Sequence, residues 1–311
     1  MVPHLITVDD EVADAVHAGR AVVALESSAI AHGLPFPANI ETARDVVAAV
    51  RAAGAVPARI GILDGRFVVG MSEAQVERFA TTPGLPKVST RDIGVTLAGG
   101  GLGATTVSAT LLAAAQVGIE VFTTAGIGGV HYNAQHTFDI SPDLIQFSRH
   151  RVAVVCAGAK SILDPALTLE YLETFGVPVV GYGCDDFPAY YSVSSGHPNP
   201  RRIDDLGQIA AAIRTHWAVG NGGGFVVTHP IAAADGIPAE EVQAHIQTKL
   251  KEAAEAGVCG PGVTPYVLSA VSAATQGRTA AANRSVLTST AALAGHLAAT
   301  LANTDVAWEA A

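Results

Sequence analysis

Short unbroken apolar runs alternate along the chain with longer stretches whose apolar positions recur every three or four residues. The runs are RAVVAL (Arg20 to Leu25), IEVFTTAG (Ile119 to Gly126), VAVVCAG (Val152 to Gly158), VPVVGYG (Val177 to Gly183) and FVVTHP (Phe225 to Pro230). They have the length and β-branched content of strands buried on both faces. Between them the spacing predicts helices over Asp9 to Ala18, closed by Gly19, over Ile40 to Ala53, capped by Asn39, and from a Ser72 cap through Ala80. An alanine-rich helix ends at Gly118, and Leu163 to Gly176 and Ile203 to Ala218 supply two more. Ala239 to Ala256, Pro265 to Thr275 and Ala280 to Leu301 close the chain as helices. ARIGILDGRFVVG reads as a hairpin turning at Asp64-Gly65. Strand and helix in alternation predict the α/β class, a mainly parallel sheet covered on both faces. With no internal repeat or shift of composition, residues 1–311 read as one domain.

Composition narrows the function. The net charge of −10 and pI near 5.5 exclude nucleic acid as an expected partner, since a polyanion is repelled unless a basic stripe receives it. The densest basic cluster is only Arg149, His150 and Arg151. Small anions stay open, because backbone amides at a helix start bind phosphate on an acidic protein. Three scattered cysteines, Cys156, Cys184 and Cys259, make neither a disulfide framework nor a zinc knuckle and fit a reducing cytosol. No signal peptide or uncharged membrane-length run is expected, so the sequence reads as cytoplasmic, with no membrane partner.

Against that background Lys160, in VVCAGAKSILD, is the residue where chemistry is expected. It is one of four lysines and follows an apolar strand and three small residues, at the edge of a helix-like segment. Desolvation there favours the neutral amine, a nucleophile toward carbonyl carbon; the plainer alternative is a lysine snorkelling out of the core or pairing with Asp164. GGGLGATTVSAT (Gly99 to Thr110) is an anion candidate, with Thr105, Thr106 and Ser108 as hydroxyl donors, or simply a turn before a capped helix. HTFDISPDL gathers His136, Asp139, Ser141 and Asp143, whose oxygen donors suit Mg or Mn, or form a helix cap. Glu26 and His32 are a possible acid–base pair at a strand end, where open α/β sheets place ligands. Phe187, Tyr190 and Tyr191 either stack on a flat ring or pack.

Together these stretches resemble the pseudouridine-5'-phosphate glycosidases, the indigoidine synthase A-like family. The likeness runs through ALESSAIAHGLPFPANIETA, KVSTRD, the Gly-Ala-Thr-Thr-Val loop, GIGGVH, HTFDIS, VVCAGAKSILD, LETFGVPVVGYG and TPYVL. It implies a three-layer α/β/α fold, a homotrimer, and reversible cleavage of a C–C glycosidic bond to uracil and ribose 5-phosphate. By the same resemblance Lys160 forms the covalent adduct with C1', Glu26 is the acid–base, Asp139 binds Mn2+, and Lys87 binds substrate. Thr106, Val107, Ser141, Pro142 and Asp143 fall where the sugar phosphate is held. Thr124, His131 and Asn283 fall near the base. Departures cluster at the base end: Thr124-Ala125-Gly126 replaces Thr-Gly-Gly, and Tyr132 and Asn133 follow the histidine where arginine is common. The first loop reads Glu-Ser-Ser-Ala-Ile. They leave a second expectation open, a C-glycosynthase joining ribose 5-phosphate to a non-uracil aglycone, as in antibiotic biosynthesis. A sugar-phosphate-binding protein without catalysis is the alternative of another class.

Overall fold

The computed structural model describes residues 4–258 and 263–304. Nine strands form one sheet in the order Ile6–Val8, Arg66–Val69, Val56–Leu63, Val22–Leu25, Val121–Thr123, Ala153–Cys156, Phe225–Thr228, Val179–Tyr182 and Arg201–Ile203. All neighbours pair parallel except the hairpin Val56–Leu63 with Arg66–Val69. That hairpin turns at Asp64-Gly65, both at positive φ, the backbone a tight two-residue turn demands.

The central strands send alternate residues to opposite faces. Ala24, Phe122, Val154 and Val226 enter one core with Leu111 of the helix Val107–Val117 and Phe147 of Pro142–Arg149. Val23, Val121, Val155 and Val227 enter the other, with Val50 of Ala38–Ala52, Ile213 of Leu206–Ala218 and Leu297 of Arg278–Ala302. This is the three-layer α/β/α arrangement expected. Helix Arg278–Ala302 has the length and mean hydropathy of a membrane span, 1.3, but its apolar side is spent inside this second core.

Several local expectations change. Asn39 does not cap its helix; it lies inside Ala38–Ala52, donating from Nδ2 to the carbonyls of Ile30 and Ala80 at 3.0 Å each. Arg201–Ile203 is an edge strand, and the helix predicted from Ile203 begins at Leu206, where Asp205 caps it. The glycines Gly99 to Gly101 close a short helix, Ile93–Ala98, that the apolar pattern did not reveal. The helix start relevant to anions lies further on, at Thr106, preceded by the two-residue strand Ala104–Thr105 paired with Lys87–Val88. Lys160 sits in an irregular loop after its strand, not at a helix edge. Cys259 lies outside the described residues.

Candidate active site

Three adjacent parallel strands end together, and their next residues meet. Glu26 follows Val22–Leu25, Thr124 follows Val121–Thr123, and Lys160 comes four residues after Ala153–Cys156. Thr124 Oγ1 donates to Glu26 Oε1 at 2.5 Å, and Ser28 Oγ donates to Oε2. Glu26 is therefore buried, with both oxygens fixed. Lys160 is half-buried, and its Nζ donates to the Gly126 carbonyl at 2.8 Å. The two strand-end loops are laced together by Ile127 N–H to Gly158 O and Lys160 N–H to Ile127 O, both 3.0 Å. The ammonium is held by a carbonyl rather than by a carboxylate, so the pairing with Asp164 weighed from the sequence is not made.

Lys87 completes the charged centre. Although exposed by area, its ammonium is crowded by protein, and together with the neighbouring Lys160 charge this pushes its pKa down; Glu26 and Asp143 oppose the shift. Glu26, Lys87, Asp143 and Lys160 thus act within one electrostatic field. His131 is lowered too, first by burial and also by Lys160, against Asp139, whose Oδ2 is 3.9 Å from its Nδ1. His32, expected as a partner of Glu26, makes no hydrogen bond to it; burial and then the Lys87 charge lower its pKa, against the Leu85 backbone.

Around the helix start at Thr106 the residues converge in ways residue type did not reveal. Val107 is buried, so only its backbone can meet an anion. Thr106 is the helix N-cap without a side-chain cap bond, and its Oγ1 lies 3.0 Å from Ser108 Oγ. Thr105 is turned inward, donating to the Ile60 carbonyl at 2.7 Å, and is not an anion donor. Asp143 accepts the Ser108 and Gly128 amides, each at 2.9 Å. Its carboxylate therefore ties two loops together instead of donating to a phosphate. Gly128 is required there, since a Cβ would overlap Ser141 Oγ. Ser141 caps Pro142–Arg149 by accepting the Asp143 amide, and Pro142 has no N–H to give.

No grouping of three or more His, Cys, Asp and Glu side chains suited to a metal occurs among the described residues. Asp139 is a partly exposed carboxylate with His131 as its near neighbour. This donor set fits a hard divalent cation that keeps most of its waters. Cys156 is ruled out as a nucleophile: burial pushes its thiol up to about 12.

Arg59 and Tyr190 are more deeply involved than the sequence suggested. Arg59 is a buried cation in the strand Val56–Leu63, donating from Nη1 to the Glu26 carbonyl at 3.0 Å and from Nη2 to the Ala43 carbonyl at 3.2 Å. The signal was an arginine within an otherwise apolar strand run, a placement that demands a partner. Tyr190 packs against Gly126, so tightly that a Cβ there would overlap its ring. Phe187 and Tyr191 are buried packing residues.

A parallel sheet whose strand ends gather a buried carboxylate, two lysines and a helix N-terminus describes an α/β/α protein built for a small anionic substrate. The chain belongs to the family described as Indigoidine synthase A like protein, whose sequence profile matches residues 11–300. It is 58% identical over 294 residues to the pseudouridine-5'-phosphate glycosidase of Dickeya dadantii (strain 3937), covering 94% of this chain and 93% of that one. The glycosidase of Serratia proteamaculans (strain 568) is 52% identical over 94% of this chain and 95% of its own. Among solved structures, the prealnumycin C-glycosynthase AlnA in complex with ribulose 5-phosphate superposes with a TM-score of 0.90 at 48% identity, covering 96% of this chain and 97% of that one.

Proposed function

We propose that this protein is an enzyme making and breaking a C-ribosyl bond through an imine between Lys160 and ribose 5-phosphate, with pseudouridine 5'-phosphate as substrate. The observation that carries this reading is the Lys160 Nζ, 2.8 Å from the Gly126 carbonyl, beside a Glu26 carboxylate fixed by two hydroxyls. A C-glycosidic bond offers no leaving oxygen or nitrogen to protonate, so the site must create an electron sink at C1'. In cleavage Glu26 relays to the ring oxygen the proton that the Lys160 ammonium gives up, and as the sugar opens the freed amine bonds to C1'. The base then leaves, its ring carbon taking up a proton and the bonding pair, while the amine lone pair forms the C1'=N bond. Water adds to that imine, giving ribose 5-phosphate and free lysine. In synthesis each step reverses, and water is released when the imine forms.

Thr124 and Ser28 orient the carboxylate. Lys87, Thr106, the Val107 amide and the Ser141 hydroxyl hold the phosphate end, with Pro142 and the Asp143 carboxylate fixing the turn around it, so that binding energy far from C1' aligns the reacting atoms. Thr124, His131 and Asn283 face the base. Asp139 would hold a divalent ion such as Mn2+, whose charge would offset that of the sugar phosphate. A homotrimer remains the family-based expectation and a cytosolic location the one read from cysteine usage; the free thiols Cys156 and Cys184 suit a reducing compartment, and light scattering on a sizing column tests the assembly.

The likeness to AlnA favours a second reading, a C-glycosynthase with another aglycone. Of the departures that suggested it, Ala125 carries less weight: its methyl group is buried in the core. Tyr132 keeps its weight. It is partly exposed, with its hydroxyl 3.5 Å from Gln243 Oε1, and Gln243 Nε2 donates to the carbonyl of Ser161, the residue after Lys160. Mixing protein, uracil and ribose 5-phosphate decides between them. Pseudouridine 5'-phosphate should form, and borohydride should trap the sugar on Lys160. A trapped sugar without product points to another acceptor, and neither adduct nor product overturns the imine chemistry.

A further inference from the structure

The segment Pro188 to Tyr191 is clamped against the loop that carries Lys160. Gly158 leaves no room for a Cβ beneath the Pro188 carbonyl, and Tyr190 N–H donates to the Ala157 carbonyl at 2.9 Å. Tyr190 takes a φ of +62°, an unfavourable conformation for an aromatic L residue, kept only where the surroundings hold it. Its ring lies on Gly126, whose carbonyl receives Lys160 Nζ, and the charge of Glu26 reaches it. At the far end of the ring the phenol donates to Asn283 Oδ1 at 2.9 Å. Asn283 is buried, and its Nδ2 donates to none of the described residues.

We infer that Tyr190 determines specificity by fixing which way the Asn283 carboxamide faces. A primary amide can present either its oxygen or its NH2, and the two rotamers invert what it recognises. With Oδ1 held by the phenol, which is a stronger donor than acceptor, Asn283 presents only N–H donors, across the Tyr190 ring from Gly126. An aglycone meeting this amide must offer a carbonyl oxygen, and one with an amino group there meets donor against donor. The strained backbone and the tight seat on Gly126 hold the phenol in place for that purpose. This inference rests on the reading of the pocket as a C-ribosyl site.

The test is calorimetric titration of uracil and of cytosine, which replaces one ring carbonyl by an amino group, into protein saturated with ribose 5-phosphate. Wild type should bind uracil at least about tenfold more tightly, the worth of one neutral hydrogen bond and the clash avoided. Tyr190→Phe should narrow that ratio by on the order of tenfold, while the borohydride adduct with ribose 5-phosphate persists. Should Tyr190→Phe fail to fold, Asn283→Asp supplies the reading: the phenol keeps its acceptor, the donors become a carboxylate oxygen, and the preference should shift toward cytosine. Equal binding of the two bases by wild type, no binding of either, or an unchanged ratio in the variant that folds overturns the inference. Failure of the imine reading shows separately, as absence of the adduct in wild type.

Discussion

Arg59 offers a sharp way to separate stability from catalysis. Arg59→Met keeps most of the side-chain length and removes the guanidinium that holds the backbone carbonyls of Glu26 and Ala43. Two hydrogen bonds from a charged donor contribute roughly 3–6 kcal/mol together. The opposing term is burial. Desolvation lowers this guanidinium to about 10, against the attraction of Glu26, a cost of about 3 kcal/mol. Because the folded pKa is the depressed one, that cost is fully present below about 10 and is relieved only as pH rises above it toward the ordinary arginine value. Its Nε also has no partner among the described residues. The gain and the cost nearly offset each other, so Arg59→Met should lose no more than about 3 kcal/mol.

Catalysis should suffer far more. Arg59 holds the main chain of Glu26 while Thr124 and Ser28 hold its carboxylate, and a displacement of about 1 Å at a reacting group costs on the order of 100-fold. Denaturant melts and steady-state cleavage of pseudouridine 5'-phosphate, on the same preparations, read both quantities. The expected result is kcat down at least about 100-fold with KM changed little and the fold intact. A loss of more than about 5 kcal/mol with normal turnover per folded molecule would refute the reasoning and make Arg59 purely structural.

Lys160→Ala should fold with near wild-type stability, since a half-buried side chain with one hydrogen bond contributes about 1 kcal/mol; intact-mass analysis after borohydride should show no sugar adduct, and an adduct at wild-type level would remove Lys160 from the chemistry. Gly126→Ala drives a methyl into the Tyr190 ring and should cost about 1–3 kcal/mol in a denaturant melt, with turnover falling as Tyr190 shifts. Cys156, with a thiol at about 12, should resist iodoacetamide at pH 8 until the protein unfolds, as peptide mapping would show.

The fold was legible because burial writes itself into runs. Five strands buried on both faces can tolerate almost nothing polar, so RAVVAL or VAVVCAG announces itself. The edge strands cannot be seen that way. Arg201–Ile203 carries two exposed arginines, and Lys87–Val88 and Ala104–Thr105 are two residues each, too short to carry a period. Family likeness singled out Glu26, Lys87, Lys160 and Asp143, and the fold sets the four within one field, yet residue type misled about what several atoms do. Asp143 reads as a ligand and is an acceptor of two amides, and Thr105 reads as a phosphate donor and faces the core.

What the sequence conceals most is which groups hold the reacting ones still. Glu26 is visible as a carboxylate after an apolar strand; that Arg59 grips its carbonyl follows only from parallel register, which sets Leu25 against Arg59 on the neighbouring strand. The register is long-range information, fixed by how the strands Val22–Leu25 and Val56–Leu63 slide together, and no local pattern encodes it. Tyr190 is hidden for the same reason: its value comes from touching Gly126, sixty-four residues away, and Asn283, ninety-three away. Sequence therefore reveals the reacting functional groups, whose type is their signature, more readily than the residues that orient them. In this site those orienting residues, Arg59 behind Glu26 and Tyr190 between Gly126 and Asn283, are where substitutions should alter rate and aglycone choice while the lysine stays in place.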